Sequence, residues 1–197
     1  MTYRTAELTL IDNQSFTVNL GPAISFLTLN GTSYVSANPR PDGLGYNPRC
    51  IRRDINPGSA KWTQDNETAW LVGNNSDPYW FQTNMEGDIM HGHFGIHGGG
   101  HYTVAGDPGG DPFTSPGDPV FWLHHGQIDR VWWMWQSQDL ETRYHAPTTS
   151  LTITGMNMPP SRNATIDDLI DIGPSGDPFK IREFSNTLGG PLCYIYE

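Results

Sequence analysis

The sequence is poor in charge, and in positive charge above all. Its 197 residues include 11 Lys and Arg against 21 Asp and Glu, which gives a formal net charge of −10 with neutral histidines. A surface that binds nucleic acid needs clustered Lys and Arg, so this composition argues against a nucleic-acid partner. The acidic balance mainly favours solubility.

Long apolar runs are missing as well. No stretch of the sequence approaches the ~20 consecutive apolar residues that a membrane-spanning helix requires. Residues 1–7 contain no apolar signal region. We therefore expect no association with a membrane and no export signal within these residues.

Cysteine is scarce, with Cys50 and Cys193 as its two representatives. The pair could form one disulfide in an oxidising compartment or remain as two buried thiols. Five sites fit the Asn-x-Ser/Thr acceptor pattern, which is more than we expect in a cytosolic protein, although any one of them can arise by chance. Their asparagines are Asn13, Asn30, Asn66, Asn74 and Asn163. Taken together, the sites predict a glycoprotein of the secretory pathway.

Glycine and proline are abundant, at 22 and 16 residues. This composition predicts short elements joined by long irregular loops, and the length predicts a single domain over residues 1–197. Residues 62–90 could form an amphipathic helix that is interrupted at Gly73 and at Asp77-Pro78. A last short helix is expected from Thr165 to Ile172, because Thr165 and Asp168 resemble a capping box.

A buried helix is predicted from Asp118-Pro119 onward. Apolar residues and one histidine recur there at steps of four, three, four and three, which is the spacing of one helix face. These residues are Phe121, His125, Ile128, Trp132 and Trp135. The imidazole of His125 is therefore expected to point inward.

Six of the seven histidines fall between positions 91 and 125. His97 and His101 would share one helix face, and His125 would arrive from the next helix. Three neutral imidazoles with an open coordination position suit copper or catalytic zinc. A pair of histidines four residues apart is by itself more often unrelated to a metal.

Three consecutive glycines, at 98–100, separate His97 from His101. Each glycine costs roughly 1 kcal/mol in a helix interior, so a helix here needs a compensating reason. We interpret the glycines as providing room for a metal, a neighbouring helix or a substrate to approach the backbone.

The longer pattern from His97 to Trp132 resembles the second copper half-site of the tyrosinase family. Residues 118–130 carry the block D-P-x-F-W-L-H-H-x-x-x-D-R, which is highly specific. The flanking segments 47–50, 109–111 and 189–196 are similar to those of short fungal tyrosinases and catechol oxidases. The resemblance covers most of the chain and is strongest from 93 to 136.

This resemblance implies a mainly α fold with long irregular loops, amounting to half of a di-copper four-helix bundle. It assigns the copper ligands to His97, His101 and His125. The residues expected around the ligands are His93, His124, Asp129, Arg130 and Phe121. Gly98 and Tyr102 are expected in a substrate pocket. Asp129 could orient a ligand imidazole or form an ion pair with Arg130. His93 could compete as a ligand, and His145 is expected to have no role.

The ligands of the first copper are not found. After His97, His101 and His125 are assigned, the other four histidines do not form the first copper's pattern, so this partial domain lacks the first half-site. One explanation is that the chain is the C-terminal part of a longer secreted oxidase. Another is that two copies associate and bring two three-histidine sites together, since two-fold dimers are the commonest assemblies.

The activity that the resemblance implies is copper-dependent oxidation of o-diphenols or o-aminophenols to quinones by dioxygen. In the family, the residue after the first of these histidines is often Asn in strong monophenol hydroxylases, and here it is Gly98. We therefore expect oxidation of o-diphenols or o-aminophenols rather than hydroxylation of monophenols. The alternatives are a non-catalytic mononuclear copper-binding domain and a zinc hydrolase, although the glutamate of an H-E-x-x-H site is missing.

Overall fold

A computed structural model describes residues 4–9, 15–21, 36, 38–88, 91–144, 148–154, 157 and 159–197. Within these ranges the helices are Pro57–Ala60 (α1), Asp65–Asn74 (α2), Pro78–Glu86 (α3), Gly95–Val104 (α4), Pro119–Ser137 (α5), Leu140–Arg143 (α6) and Ile181–Phe184 (α7). The strands are Arg4–Thr9 (β1), Ser15–Gly21 (β2), Thr148–Thr152 (β3), Asn163–Thr165 (β4), Leu169–Ile170 (β5) and Phe179–Lys180 (β6).

The strands form small antiparallel pairs at the two ends of the sequence. β1 pairs with β2, β3 with β4, and β5 with β6, where Ile170 lies opposite Phe179. Each sheet has two strands, so none of them can enclose a core of its own. The fold is therefore mainly helical with irregular loops, which confirms the predicted class.

The core lies where α2, α3 and α5 meet. Phe81 and Trp135 are fully buried, and their rings stack with centroids 4.7 Å apart. Leu71 and Val131 belong to the same cluster. Burial of a large apolar side chain stabilises the fold by about 1.5–3 kcal/mol. This core holds the C-terminal half of α5 and leaves the N-terminal half free to carry the histidines.

The start of α5 is fixed by the fully buried carboxylate of Asp118. It accepts a hydrogen bond from the backbone N–H of Val120 at 3.0 Å, and Pro119 follows at the first helical position. The Arg53 guanidinium donates to both oxygens of the same carboxylate, at 3.0 and 2.7 Å. One buried side chain thus caps the helix and ties it to the segment before α1.

The sequence was right about a break at Asp77-Pro78, but it was wrong about a break at Gly73 and about the last helix. Asp77 caps α3 by accepting from the N–H of Trp80 at 3.0 Å, whereas Gly73 stays inside α2. The predicted helix from Thr165 to Ile172 is replaced by a turn between β4 and β5. Asp168 accepts from the N–H of Thr165 at 2.6 Å and closes that turn. Carboxylates cap tight turns and helix starts by the same hydrogen bond, so the pattern could not distinguish them.

No helix among the described residues is both long enough and apolar enough to cross a membrane. Cys50 and Cys193 are free thiols, and both are exposed rather than buried.

Candidate metal centre

Helix α4 forms across the three glycines because its neighbours need the space that they leave. A Cβ atom on Gly99 would lie 2.6 Å from the Cβ of Trp62, and a Cβ on Gly100 would overlap the imidazole of His124. Contacts this close would push the helix away from its neighbours. Gly99 and Gly100 therefore leave the space that the side chains of Trp62 and His124 occupy. They provide room for the adjacent elements, and the helix keeps His97 and His101 on one face.

Three imidazoles converge at one point between α4 and α5. The Nε2 atom of His97 lies 3.1 Å from the Nε2 of His101 and 3.2 Å from the Nε2 of His125. The α4 histidines are one turn apart, and His125 reaches them from the inward face of α5. The expected convergence of these three side chains is therefore present in the fold.

Hydrogen bonds at the far ring nitrogens set the tautomers of two of these rings. The Nδ1–H of His97 donates to a carboxylate oxygen of Glu86 at 2.7 Å, and the Nδ1–H of His125 donates to the carbonyl of Phe121 at 2.9 Å. In the neutral rings, both Nε2 atoms therefore carry a lone pair and no proton. Two unprotonated nitrogens that face each other at 3.2 Å have no hydrogen bond between them.

A cation is the natural partner for this donor set. Imidazole nitrogens lie about 2.0–2.1 Å from a bound zinc ion, so two nitrogens 3.2 Å apart would subtend an angle of roughly 100° at such an ion. Angles near this value occur in three- and four-coordinate sites. The residues present therefore fit a metal ion held by imidazoles.

His124 offers a second way to complete the triad. His97, His101 and His124 can each bring one ligand atom to within 4.8 Å of the others. However, the Nε2–H of His124 donates to the carbonyl of His97 at 2.9 Å, which leaves Nδ1 as its free nitrogen. His125 directs an unprotonated Nε2 at its neighbours, so the geometry favours His125 and gives His124 a role in joining α5 to α4.

Burial favours the neutral form of three imidazoles in the cluster. It is the largest cause of a shift that lowers the pKa of His101 to about 3, and the neighbouring imidazoles of His97, His124 and His125 contribute to the same shift. Burial likewise lowers the pKa of His124 to about 4 and lowers the pKa of His125. Metal ligation requires unprotonated imidazole, so these three rings do not need to lose a proton at pH 7 before they bind an ion.

Phe121 and Asp129 lie on either side of His125 along α5. The ring of Phe121 is 4.0 Å from that of His125 and 5.9 Å from that of His101, so it forms one wall of the cluster. Asp129 neither orients an imidazole nor pairs with Arg130. Its carboxylate accepts the hydroxyls of Tyr194 and Tyr196, each at 2.5 Å, and so anchors the C-terminal segment to α5.

Other residues that the sequence placed at the site lie elsewhere. His93 packs against Trp62 at 4.4 Å, outside the group of converging imidazoles. Tyr102 is buried and stacks on Phe94 at 4.4 Å, and it is not among the residues that line the cavity and the groove beside the cluster. Gly98 is buried within α4. Arg130 makes no ion pair within the described part of the chain, and His145 lies outside it.

Two spaces adjoin the cluster. A cavity of about 20 Å³, which is room for about one water, is lined by residues that include His101, Phe121 and His124. An open groove of about 300 Å³ is lined in part by His125. Its apolar lining includes Met85, Ile128, Trp132, Ile170, Ile181 and Phe184. This groove is the larger route from the surface to an imidazole of the cluster.

Sequence reasoning missed Glu86. It is the last residue of α3 and lies 11 positions before His97, too far for any helical spacing to connect the two. The signal that could have found it is the short α3–α4 connection, which folds the end of one helix back toward the start of the next.

We expect Gly100→Ala to destabilise the chain, because the added methyl would overlap the His124 ring. Overpacking of this kind costs typically about 1–3 kcal/mol. Gly73→Ala is the matched control, since Gly73 is an exposed helical glycine with nothing within 4 Å of the added atom. The control should gain up to about 1 kcal/mol from helix propensity. Urea unfolding of both variants measures the difference, and equal stabilities would contradict this packing.

Comparison with known proteins identifies the family. The family model described as the common central domain of tyrosinase matches residues 7–138. The tyrosinase-like protein orsC of Emericella nidulans is 38% identical over 160 residues, which cover 77% of this chain and 39% of that protein. Tyrosinase P of Aspergillus terreus is 30% identical over 187 residues, covering 93% of this chain and 49% of that protein.

A solved structure is also similar to this chain over nearly its whole length. A polyphenol oxidase variant from Thermothelomyces thermophila superposes with a TM-score of 0.74 at 34% identity, covering 98% of this chain and 49% of that one. The chain thus spans less than half the length of each of these relatives. Because the family model covers well over half of its residues, the chain belongs to the tyrosinase family.

Proposed function

We propose that His97, His101 and His125 hold one copper ion through their Nε2 atoms, as one half of a di-copper oxidase site. The observation that carries the proposal is the 3.2 Å approach of the Nε2 atoms of His97 and His125, whose Nδ1 atoms both lie within hydrogen-bond distance of acceptor oxygens. Membership of the tyrosinase family supports copper over zinc as the ion. Imidazole is a suitable ligand for copper.

The reaction we propose is oxidation of o-diphenols or o-aminophenols to quinones. Copper, when bound, would supply the one-electron redox chemistry. For diphenols, two substrates each lose two electrons and two protons, and one dioxygen takes up the four electrons and four protons to give two waters. The protein contributes binding, orientation and a shielded site.

The groove beside His125 is the proposed place for the phenolic ring. Ile128 and Trp132 offer apolar contacts, and the ring of Phe121 packs against the imidazole of His125 with centroids 4.0 Å apart. Gly98 follows His97 and has no side chain that could hold a water for deprotonation of a monophenol. We therefore propose specificity for o-diphenols or o-aminophenols over monophenols.

A complete site of this type needs a second set of histidines. We propose that further sequence of a longer chain supplies it, with a second copy of this chain as the other source. The N-terminal half of α5 supports a covering partner, because Trp122 and Leu123 are 64% and 74% exposed next to the histidines. Apolar side chains of this size beside a site are typical of a surface that another segment covers.

We also propose that the protein passes through the secretory pathway. Three of the glycosylation acceptors, Asn66, Asn74 and Asn163, lie in the described part of the chain, and all three are exposed. An acceptor must be accessible to be modified. Asn13 and Asn30 lie outside the described residues.

Copper stoichiometry, measured with light scattering and a catechol oxidation assay, tests the proposal. One copper per chain is the expected result, with turnover when a second three-histidine set is present. A copper-loaded monomer with the paramagnetic signal of isolated Cu(II) and no turnover would make the chain alone a mononuclear copper-binding domain. A purified chain that takes up no copper would overturn the assignment.

A further inference from the structure

Glu86 provides a carboxylate to the histidine cluster. Its Oε2 atom accepts the Nδ1–H of His97 at 2.7 Å, and the side chain is 43% exposed. Within the described residues, no Lys or Arg lies within ion-pair distance of this carboxylate. The histidine ring is therefore its specific partner.

The backbone around Glu86 is held rigidly against the start of α4. Gly87 and Gly95 both have positive φ angles, of 78° and 56°. A Cβ on either glycine would collide with the backbone of the opposite segment, since the two segments are in direct contact there. Phe81 and Met85 anchor the preceding turns of α3 in the core. The distance between Glu86 and His97 is thus set by close backbone packing rather than by a flexible loop.

We propose that Glu86 is a positioning residue for the metal site, which orients the His97 ring and fixes its Nδ1–H tautomer so that Nε2 faces the ion. The inference rests on the proposed function, because it concerns the same cluster. A carboxylate bonded to the far nitrogen of a ligand histidine sets the ring orientation and raises ligand basicity.

The other rings of the cluster have no comparable partner in the described part of the chain. His125 donates to the carbonyl of Phe121 and His124 donates to the carbonyl of His97, and both acceptors are neutral. Glu86 therefore supplies the negative charge that partly offsets a cation among neutral imidazoles.

The test compares Glu86→Ala with Glu86→Gln in the full chain, using Cu(II) as the probe. Loss of such a partner typically lowers metal affinity by about 10- to 100-fold. We expect Glu86→Ala to show that loss. Glu86→Gln should recover much of the affinity, because its amide oxygen can still accept from Nδ1–H. A purely structural role would not give this rescue at equal stability.

A second readout needs no metal. Nitrogen-15 NMR of the metal-free chain reports which ring nitrogen of His97 carries the proton. We expect the Nδ1–H form in the parent chain and in Glu86→Gln, and a mixture with the Nε2–H form in Glu86→Ala.

Asp88→Asn is the matched control. Asp88 accepts the Nδ1–H of His91 at 2.6 Å, in the same geometry but between exposed side chains outside the cluster. This variant should leave copper affinity within twofold of the parent. A parent chain that binds no copper would sink the proposed function itself. Copper binding that Glu86→Ala leaves unchanged, with the His97 tautomer also unchanged, would overturn the role of Glu86 alone.

Discussion

We expect His125→Gln to remove stoichiometric copper binding, whereas His124→Gln retains it. His125 brings an unprotonated Nε2 to 3.2 Å from the Nε2 of His97, while the Nε2–H of His124 is committed to the carbonyl of His97. Loss of a direct ligand should exceed the roughly 10- to 100-fold effect of removing a ligand's hydrogen-bond partner. Equilibrium dialysis against a copper buffer measures the affinity of each variant.

The reverse outcome would identify the other triad. If His124→Gln loses copper and His125→Gln keeps it, the ion is held by His97, His101 and His124, which can also bring their nitrogens within 4.8 Å of one another. His91→Gln serves as the control, because His91 is an exposed histidine bonded to Asp88. It should bind copper like the parent chain.

Asp118→Ala should lower the free energy of unfolding by about 3 kcal/mol, the largest stability effect we expect. The substitution removes the cap of α5 and leaves the guanidinium of Arg53 without its two acceptors. The side chain of Arg53 is 44% exposed, so water compensates part of that loss. Urea unfolding monitored by tryptophan fluorescence gives the value.

Asp77→Ala separates the contribution of a helix cap to stability from the contribution of the ion pair between Asp118 and Arg53. Asp77 caps α3 through the N–H of Trp80 and makes no bond to an arginine in the described structure. Loss of a cap alone costs typically ~1 kcal/mol. The difference between the two variants then measures the Arg53 pair, and a difference near zero would show that the pair contributes no stability.

Helix α5 shows what could be predicted from sequence. Its Asp118-Pro119 start, its inward-facing residues and the position of His125 all follow from local rules of capping and periodicity. Interactions within one helix repeat at fixed spacings, so a single sequence reveals them. The structure agrees, with the helix running from Pro119 to Ser137.

Helix α4 shows where local rules were insufficient. Propensity opposes a helix at Gly98-Gly99-Gly100, so a helix there needed a compensating reason that the local sequence does not contain. Tertiary contacts decided the outcome, because Trp62 and His124 occupy the space that larger residues would fill. Those partners lie 37 residues before and 24 residues after the glycines they contact, and no local pattern relates them.

The carboxylates near the site illustrate the same limit. The spacing of Asp129 from His125 suggested a link between the two, yet its partners are Tyr194 and Tyr196, at separations of 65 and 67 residues. Glu86 could not be assigned to His97 without knowing that α3 folds back on α4. Pairings of this kind become visible only when the chain is folded.

The bond between Tyr196 and Asp129 has a consequence for synthesis on the ribosome. The tyrosine emerges 67 residues after the aspartate, an interval of about 3 to 13 s at translation rates of roughly 5–20 residues per second. During that time the nascent chain already contains every histidine of the cluster, but the carboxylate next to them has no hydroxyl partner. Helix α5 therefore gains its anchor to the C-terminal segment only after Tyr194 and Tyr196 have been synthesised.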